Sequence, residues 1–503
     1  MTVKIVDVTL RDGEQTPGIA FSENEKLNVA QFLLSELKVD RVEVASARVS
    51  AGEQAAVCQI TQWAKSKKLL DKIEILGFID EGKSVDWIEQ AGGQVVNFLA
   101  KGSLKHVKQQ LRKNPQEHLA NIKDNIKLAR AKGMKVNLYL EDWSNGMKSS
   151  PQYVFSLLDG LVEQGVAHFM LADTLGVLNP TTTFDYCQQI IQRYPKLKFD
   201  FHGHNDYELG VANSLSAVGA GAKGVHVAVN GLGERAGNVS LASLVVSLKD
   251  QARCQLNINE KKLAQISRLV EVFTGTSIPD NKPVVGKNVF TQCCGVHADG
   301  DSKGNLYCND LLPERFSRER RYGLGKMSGK ANIIKNLDQL GISLNKQELK
   351  AVVNRVVELG DKKEEVTLED LPFIITDVLE MKKKKTVGLL DLEINHKYQA
   401  SPRVKVCLAI AGKKYCSQSK GGGQYDAFLK AAGKTFKKLA IELPELVDYQ
   451  VRIPPGGSSE SLVETVITWR EQAREFTTKG LDTDQVTSSI KATLKMFNII
   501  VNK

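Results

Sequence analysis

The sequence predicts a (β/α)8 barrel followed by a mainly helical linker region and a smaller C-terminal α+β domain. Three observations carry that expectation. Short β-branched runs alternate with helix-like stretches through roughly the first 250 residues. Apolar and polar side chains alternate within those runs. A strand-strand-helix pattern is duplicated near the C-terminus. The chain has 503 residues, room for two or three domains at roughly 100–200 residues each.

The strand candidates, in order, are Lys4–Leu10, Arg41–Ala45, Ile73–Phe78, Val95–Leu99, Val136–Leu140, His168–Ala172, Lys198–Phe201 and Gly224–Asn230. Helical patterns lie between them, among them Glu23–Leu37, Leu104–Ala131, Pro151–Gln164 and Leu209–Ala220. This number of β–α units in about 250 residues suits a closed barrel, whereas an open doubly wound sheet usually has fewer strands. Side-chain parity agrees. Leu138 and Leu140 oppose Asn137, Tyr139 and Glu141, while Phe199 and Phe201 oppose Asp200, His202 and His204. In the first run, Val6, Val8 and Leu10 are expected to face the helices, with Asp7, Thr9 and Arg11 turned inward. Polar groups then gather toward the C-terminal ends of the strands, where barrel enzymes place their chemistry.

Beyond Asp250 the rhythm changes. The expected division is a barrel over 1–280, a helical linker region over 281–385, and a C-terminal domain over 386–503. A Gly- and Asp-rich loop (Thr291–Asn309) precedes helical patterns at Lys346–Leu359 and Leu371–Lys382, and the charge run Lys382–Lys385 marks a boundary. Two strand-like runs then precede a helix at Tyr425–Leu439. Two more (Val447–Ile453 and Ser461–Trp469), with Pro454–Gly457 as a turn, precede a last helix at Thr483–Phe497. This is a ββα-ββα duplication.

Composition excludes several classes. Charged residues make up 25% and hydrophobic ones 42%, which argues against wholesale disorder. Basic residues outnumber acidic ones, 68 to 58, for a formal charge of +10. No nucleic-acid reader motif accompanies that excess, so no nucleic-acid partner is expected. An anionic substrate would be steered by it. The eight cysteines contain no C-x-x-C pair and are expected to be reduced. There is no leader-like start and no apolar run of about 18 residues, so a cytoplasmic protein without membrane partners is expected.

The chemistry centres on Phe201-His202-Gly203-His204-Asn205-Asp206. Histidines two apart on a strand project from one face, so both imidazoles can reach a single ion. Asp12, just past the first strand, adds a carboxylate. That set suits a divalent metal with open positions, Mn2+, Mg2+ or Zn2+. Arg11 places a permanent charge beside it, fit to grip a carbonyl oxygen where negative charge develops. Gly231-Leu232-Gly233-Glu234-Arg235-Ala236-Gly237-Asn238 follows the eighth strand, the wrong place for a dinucleotide fingerprint. Its Asn238 is a candidate fourth metal ligand.

Arg11–Gln15, Phe201–Asn238 and Thr291–Asp299 together resemble the α-isopropylmalate/homocitrate/citramalate synthase family, the Claisen-condensing branch of the DRE-type metal-dependent barrel enzymes. The likeness covers essentially the whole chain. It implies a divalent metal held by Asp12, His202, His204 and Asn238, with Arg11 on the keto oxygen. It implies acid/base work by Glu141 and His297 on the acetyl group of acetyl-CoA, with Tyr307 nearby on a lid often donated by a partner subunit. Leu76, Leu99 and Tyr139 would form the apolar wall that selects the α-keto acid, with Thr174 also binding substrate. The text of Val42–Gly52, Tyr139–Gly146 and Val451–Gly457 is most similar to the pyruvate-using members, which make (R)-citramalate and CoA in isoleucine biosynthesis. Condensation with 2-ketoisovalerate, in leucine biosynthesis, is the alternative, and another metal-dependent barrel lyase or hydrolase the third. The resemblance further implies a homodimer and a C-terminal domain that binds an amino-acid end product, isoleucine first. Gly421–Asp426 opens a helix there, and Tyr425, Asp426 and Tyr449 are the candidate effector residues.

Overall fold

The computed structural model describes residues 2–361, 366–378, 386–452, 463–472 and 474–502; Lys382–Lys385 and Pro454–Gly457 lie outside them. The chain forms two compact units, Met1–Phe290 with Cys308–Arg320, and Thr291–Tyr307 with Arg321–Lys503. Among the described residues no helix is long and apolar enough to cross a membrane.

The first unit is a closed barrel of eight parallel strands: β1 (Lys4–Asp7), β2 (Arg41–Ser46), β3 (Ile73–Phe78), β4 (Val95–Lys101), β5 (Lys135–Glu141), β6 (His168–Asp173), β7 (Phe199–Gly203) and β8 (Gly224–Val227). β8 returns to pair with β1. One set of alternate residues, including Ile75, Val96, Phe98, Leu138, Leu140, Phe199 and Phe201, is buried in the main hydrophobic core. The other set carries polar groups bonded across the lumen. Arg41 on β2 pairs with Glu74 on β3 at 2.7 Å and with Asp200 on β7. The Asn97 amide donates to Glu43 at 2.7 Å and to Glu74 at 2.9 Å. Asn137 donates to Asn97 Oδ1 at 2.8 Å.

Local chemistry sets the helix limits. The expected helix Leu104–Ala131 is two helices, Leu104–Gln109 and Pro115–Ala131, because Asn114 caps the second and Pro115 cannot continue the first. The segment Glu23–Leu37 starts at a Ser22 capping box and widens into a π turn over Phe32–Leu37.

The first strand departs from the expected parity. Val6 is in register with Arg41 and His226, both lumen residues, while Asp7 aligns with Val42 and Val227 on the helix side. The strand ends at Asp7, whose Oδ1 accepts from the Thr9 amide at 2.9 Å. Asp7 therefore caps the turn beyond the strand instead of lining the lumen. It is fully buried, its Oδ2 has no partner, and burial pushes its carboxyl up to about 7.

The expected loop Thr291–Asn309 holds a short strand, Thr291–Gln292, paired with Arg321–Tyr322, and a helix, Gly295–Ser302. Helices Lys330–Leu340, Lys346–Asp361 and Leu371–Val378 follow, joined by a core that includes Ile333, Leu337, Val352, Val356 and Leu371. The C-terminal duplication is present with three strands per half, not two. Strands β9 (Val387–Asn395), β10 (Arg403–Ile410) and β11 (Lys413–Lys420) precede the helix Gln424–Lys438. Strands β12 (Glu445–Arg452), β13 (Val463–Glu471) and β14 (Arg474–Asp482) precede Gln485–Val501. Both antiparallel sheets share one core with these helices, around Phe428, Phe436, Trp469 and Phe497. Each first strand carries an irregularity in the same place, at Leu390 in β9 and at Val447 in β12. The cysteine expectation needs correction. Cys407 and Cys416 face each other across β10 and β11 and form a disulfide, a pairing the hairpin register creates and sequence spacing hides.

The raised carboxyl of Asp7 has a pH signature. Above about pH 4 the unfolded group is ionised, while the folded group stays protonated until about pH 7, so stability falls as pH rises across that window. Asp7→Asn is expected to flatten this dependence. Urea unfolding should show the stability difference moving in the variant's favour by on the order of a few kcal/mol between pH 4 and pH 8.

Candidate active site

The early end of β1 lets the chain turn back at the barrel's mouth, where the Arg11 and Gly13 amides both donate to the Val8 carbonyl, at 3.2 and 3.0 Å. Arg11 and Asp12 are thereby held over the lumen. The Arg11 guanidinium is shared three ways. It reaches Asp12 Oδ2 at 2.5 Å, Glu43 Oε2 at 2.5 Å and the Tyr139 hydroxyl at 3.1 Å. Burial works against ionised Asp12, but Arg11, the two histidines and the Asn238 amide outweigh it and hold the carboxyl well below its usual range.

β7 delivers the imidazoles. His202 Nε2 lies 3.8 Å from Asp12 Oδ2, and His204 Nε2 lies 4.0 Å from Asp12 Oδ1. One donor atom from each of these three buried residues falls within 4.8 Å of the others. Burial pushes His202 well below its ordinary value despite the pull of Asp12, leaving a neutral ring with a lone pair to give. The Asn238 amide donates to Asp12 Oδ1 at 2.6 Å and to the Leu232 carbonyl at 2.9 Å. Its Oδ1 is buried without a partner. The glycines of this loop shape the approach. Gly233 sits at φ +148°, and a Cβ there would run into the Asn238 amide; Gly237, at φ +83°, would strike the Gly231 carbonyl.

Below the mouth, Leu76, Tyr139, Met170 and Ala172 form a separate buried apolar cluster with Leu99 against it. The structure thus unites Leu76, Leu99 and Tyr139 as expected. It adds Met170 and Ala172, which the alternation along β6 marks as inward. Tyr139 joins the wall to the polar site. Its ring stands edge-on to His202 at 5.7 Å, and its hydroxyl lies 3.0 Å from His226 Nδ1. Glu141, the last residue of β5, is ion-paired with Lys101. Thr174 does not stand free. Its hydroxyl accepts from the Asp142 amide at 2.8 Å, and its carbonyl from Arg235 at 2.8 Å.

The remaining candidates belong to the second unit. His297 lies on the helix Gly295–Ser302, and its ring centre is 4.3 Å from that of Tyr307. Tyr425 and Tyr449 are brought together with ring centres 5.2 Å apart. Their hydroxyls bond Thr493 at 2.7 Å and Ser489 at 2.6 Å, both on the last helix. Asp426 is turned away from that pair, accepting from the Gly422 amide at 2.8 Å and from Lys430 at 2.7 Å.

Residues 2–270 match the family described as HMGL-like. The chain belongs to the HMGL-like family. Residues 284–364 match a homocitrate synthase post-HMGL domain-like region, and residues 365–501 the LeuA allosteric (dimerisation) domain. The 2-isopropylmalate synthase of Methanocaldococcus jannaschii is 33% identical over 508 residues, covering 100% of this chain and 95% of the relative. The (R)-citramalate synthase of the same organism is 31% identical over 504 residues, covering 100% of both. This HMGL-like chain is an enzyme of the branch that contains such synthases.

HMGL-like enzymes depend on a metal, and the residues present fit one. A carboxylate, two imidazoles and an unsatisfied amide oxygen form a donor set suited to a divalent cation. Sequence reasoning missed Glu43 and Lys101, the direct partners of Arg11 and Glu141. The available signal for Glu43 was a lone acid inside the apolar run Arg41–Ala45. His202→Ala or His204→Ala is expected to bring the divalent metal bound by purified protein to background in elemental analysis, whereas Tyr139→Phe should retain it.

Proposed function

We propose that this enzyme condenses acetyl-CoA with pyruvate, giving (R)-citramalate and free CoA, with Asp12, His202, His204 and Asn238 holding Mn2+, Mg2+ or Zn2+. The observation that carries the choice of pyruvate is the apolar cluster beside Arg11. Leu76, Leu99, Tyr139 and Met170 are large side chains that cluster there; on this reading they would fill the space that a branched alkyl group needs and leave room for a methyl.

Asp12, His202, His204 and Asn238 would hold the divalent metal, which would supply Lewis-acid charge for the keto acid. Arg11 is aimed by Glu43 and Tyr139 and adds positive charge where the keto oxygen becomes an alkoxide. A guanidinium cannot act as the acid or base itself, so proton movement falls to other groups. A methyl proton of the thioester passes to His297 or to a water held by Glu141, and Tyr307 assists. The resulting enolate carbon attacks the keto carbon of pyruvate. Water then cleaves the citramalyl thioester, releasing CoA as its thiol. Placement of base and carbonyl matters because the proton removed is only weakly acidic.

The division into a barrel over 1–280, a linker and lid over 281–385 and a regulatory domain over 386–503 belongs to the same reading. So do a cytoplasmic homodimer, no nucleic-acid partner, Thr174 as a substrate contact, and isoleucine as the effector near Tyr425, Asp426 and Tyr449. A second reading, condensation with 2-ketoisovalerate under leucine control, rests on the similarity to a relative named as a 2-isopropylmalate synthase.

Thiol release with acetyl-CoA and a panel of keto acids tests the substrate. Pyruvate is expected to exceed 2-ketoisovalerate in kcat/KM by about tenfold or more, the scale on which apolar pockets discriminate. The opposite order would assign the second reading, and release without any keto acid would point to hydrolysis. Leu76→Ala is expected to move the ratio toward 2-ketoisovalerate by about tenfold. Isoleucine is expected to inhibit the full chain, and Tyr449→Ala to weaken that inhibition while leaving uninhibited thiol release in place.

A further inference from the structure

We infer that Lys101 is a positioning residue that fixes the Glu141 carboxylate for the proton-handling step. The inference rests on the proposed synthase reaction and adds a residue to it. Lys101 ends β4 and Glu141 ends β5, and the two are directly in register. The Lys101 ammonium is ion-paired with the Glu141 carboxylate, and among the described residues no other side chain is bonded to either group.

Both partners are held by their backbones before their side chains meet. The Lys101 amide donates to His118 Nε2 at 3.1 Å, and the Lys101 carbonyl accepts from the Tyr153 hydroxyl at 2.8 Å. These clamps come from the helices Pro115–Ala131 and Pro151–Leu161, and both clamping side chains are buried. Burial and the nearby lysines push His118 down to about 4, so its ring is neutral near pH 7 and free to accept that amide proton. On the other side, the Gly102 amide donates to the Glu141 carbonyl at 2.6 Å. Asp142 follows in the left-handed region at φ 60°, pinned by Thr174 at 2.8 Å and by Asn145 at 2.7 Å.

A lysine with only 9% of its side chain exposed is costly unless its charge is matched. Here the match fixes where the carboxylate stands, and an ionised carboxylate accepts hydrogen bonds without donating any. Glu141 is thereby suited to hold a water or receive a proton. Removal of the ammonium would leave a carboxylate with no fixed position at the end of a strand. The step that needs placement should suffer, while keto-acid binding around Arg11 should not.

Steady-state thiol release with acetyl-CoA and pyruvate tests this on the full chain, using Lys101→Met, Lys101→Arg, Glu141→Gln and the Lys101→Met/Glu141→Gln double variant. Lys101→Met is expected to lower kcat by about 10- to 100-fold, with the KM for pyruvate unchanged within about twofold. Lys101→Arg should recover most of the loss, and Lys101→Met should cost nothing further in the Glu141→Gln background. Lys101→Gln, which keeps a neutral donor, serves if the methionine variant does not fold and is expected to show the same fall in kcat. A raised KM at constant kcat, or equal losses in both backgrounds, would overturn the inference. If Glu141→Gln by itself retained kcat, the proposed role of Glu141 would fall, and this inference with it.

Discussion

The shared guanidinium of Arg11 is the constraint on which the rest of the site depends. It binds Asp12 at the mouth, Glu43 on β2 and Tyr139 on β5 at once, so it ties three separate parts of the barrel to one rigid plane. From Glu43 the network continues through Asn97 to Glu74, and from Glu74 through Arg41 to Asp200. A lumen built this way cannot relax around a lost charge, because each partner is buried and already committed. Two arginines face four carboxyls, those of Asp12, Glu43, Glu74 and Asp200.

Much of this was legible in the sequence because barrel strands repeat one simple signal. The eight runs, the inward parity of Asn137, Tyr139, Asp200 and His202, and the meeting of Asp12 with the two histidines all follow from strand periodicity and closure. The errors share a cause, which is that pattern does not report where a strand ends or what lies beside it. Asp7 looks inward by alternation, yet it is the cap of the turn that ends its strand. The helix carrying His297 was expected to be loop because Gly295–Ser302 is rich in Gly and Asp, residues that tertiary context can still draw into a helix. Strand β14 was missed because most of its residues are polar, so no apolar stripe marks it. Partners far apart in sequence, such as Lys101 with Glu141 or Arg11 with Glu43, have no local signature at all.

The C-terminal unit shows a second economy. Two sheets and two helices enclose one core, and Tyr425 and Tyr449, from opposite halves of the duplication, spend their hydroxyls on the same helix. Both halves of the duplication are thereby bonded to one helix, Gln485–Val501.

The unpaired residue at Leu390 and its counterpart at Val447 interrupt β9 and β12, each at the border of its own sheet. A straight strand from an unrelated chain finds no continuous row of amides and carbonyls there to lengthen. Fibre-like growth is obstructed on both borders, even though Leu390 and Val447 keep apolar surface in water. These borders also carry exposed charge, Asp391 and Glu393 on β9 and Glu445 on β12, so any protein that settles on them has to match an interrupted and charged outline.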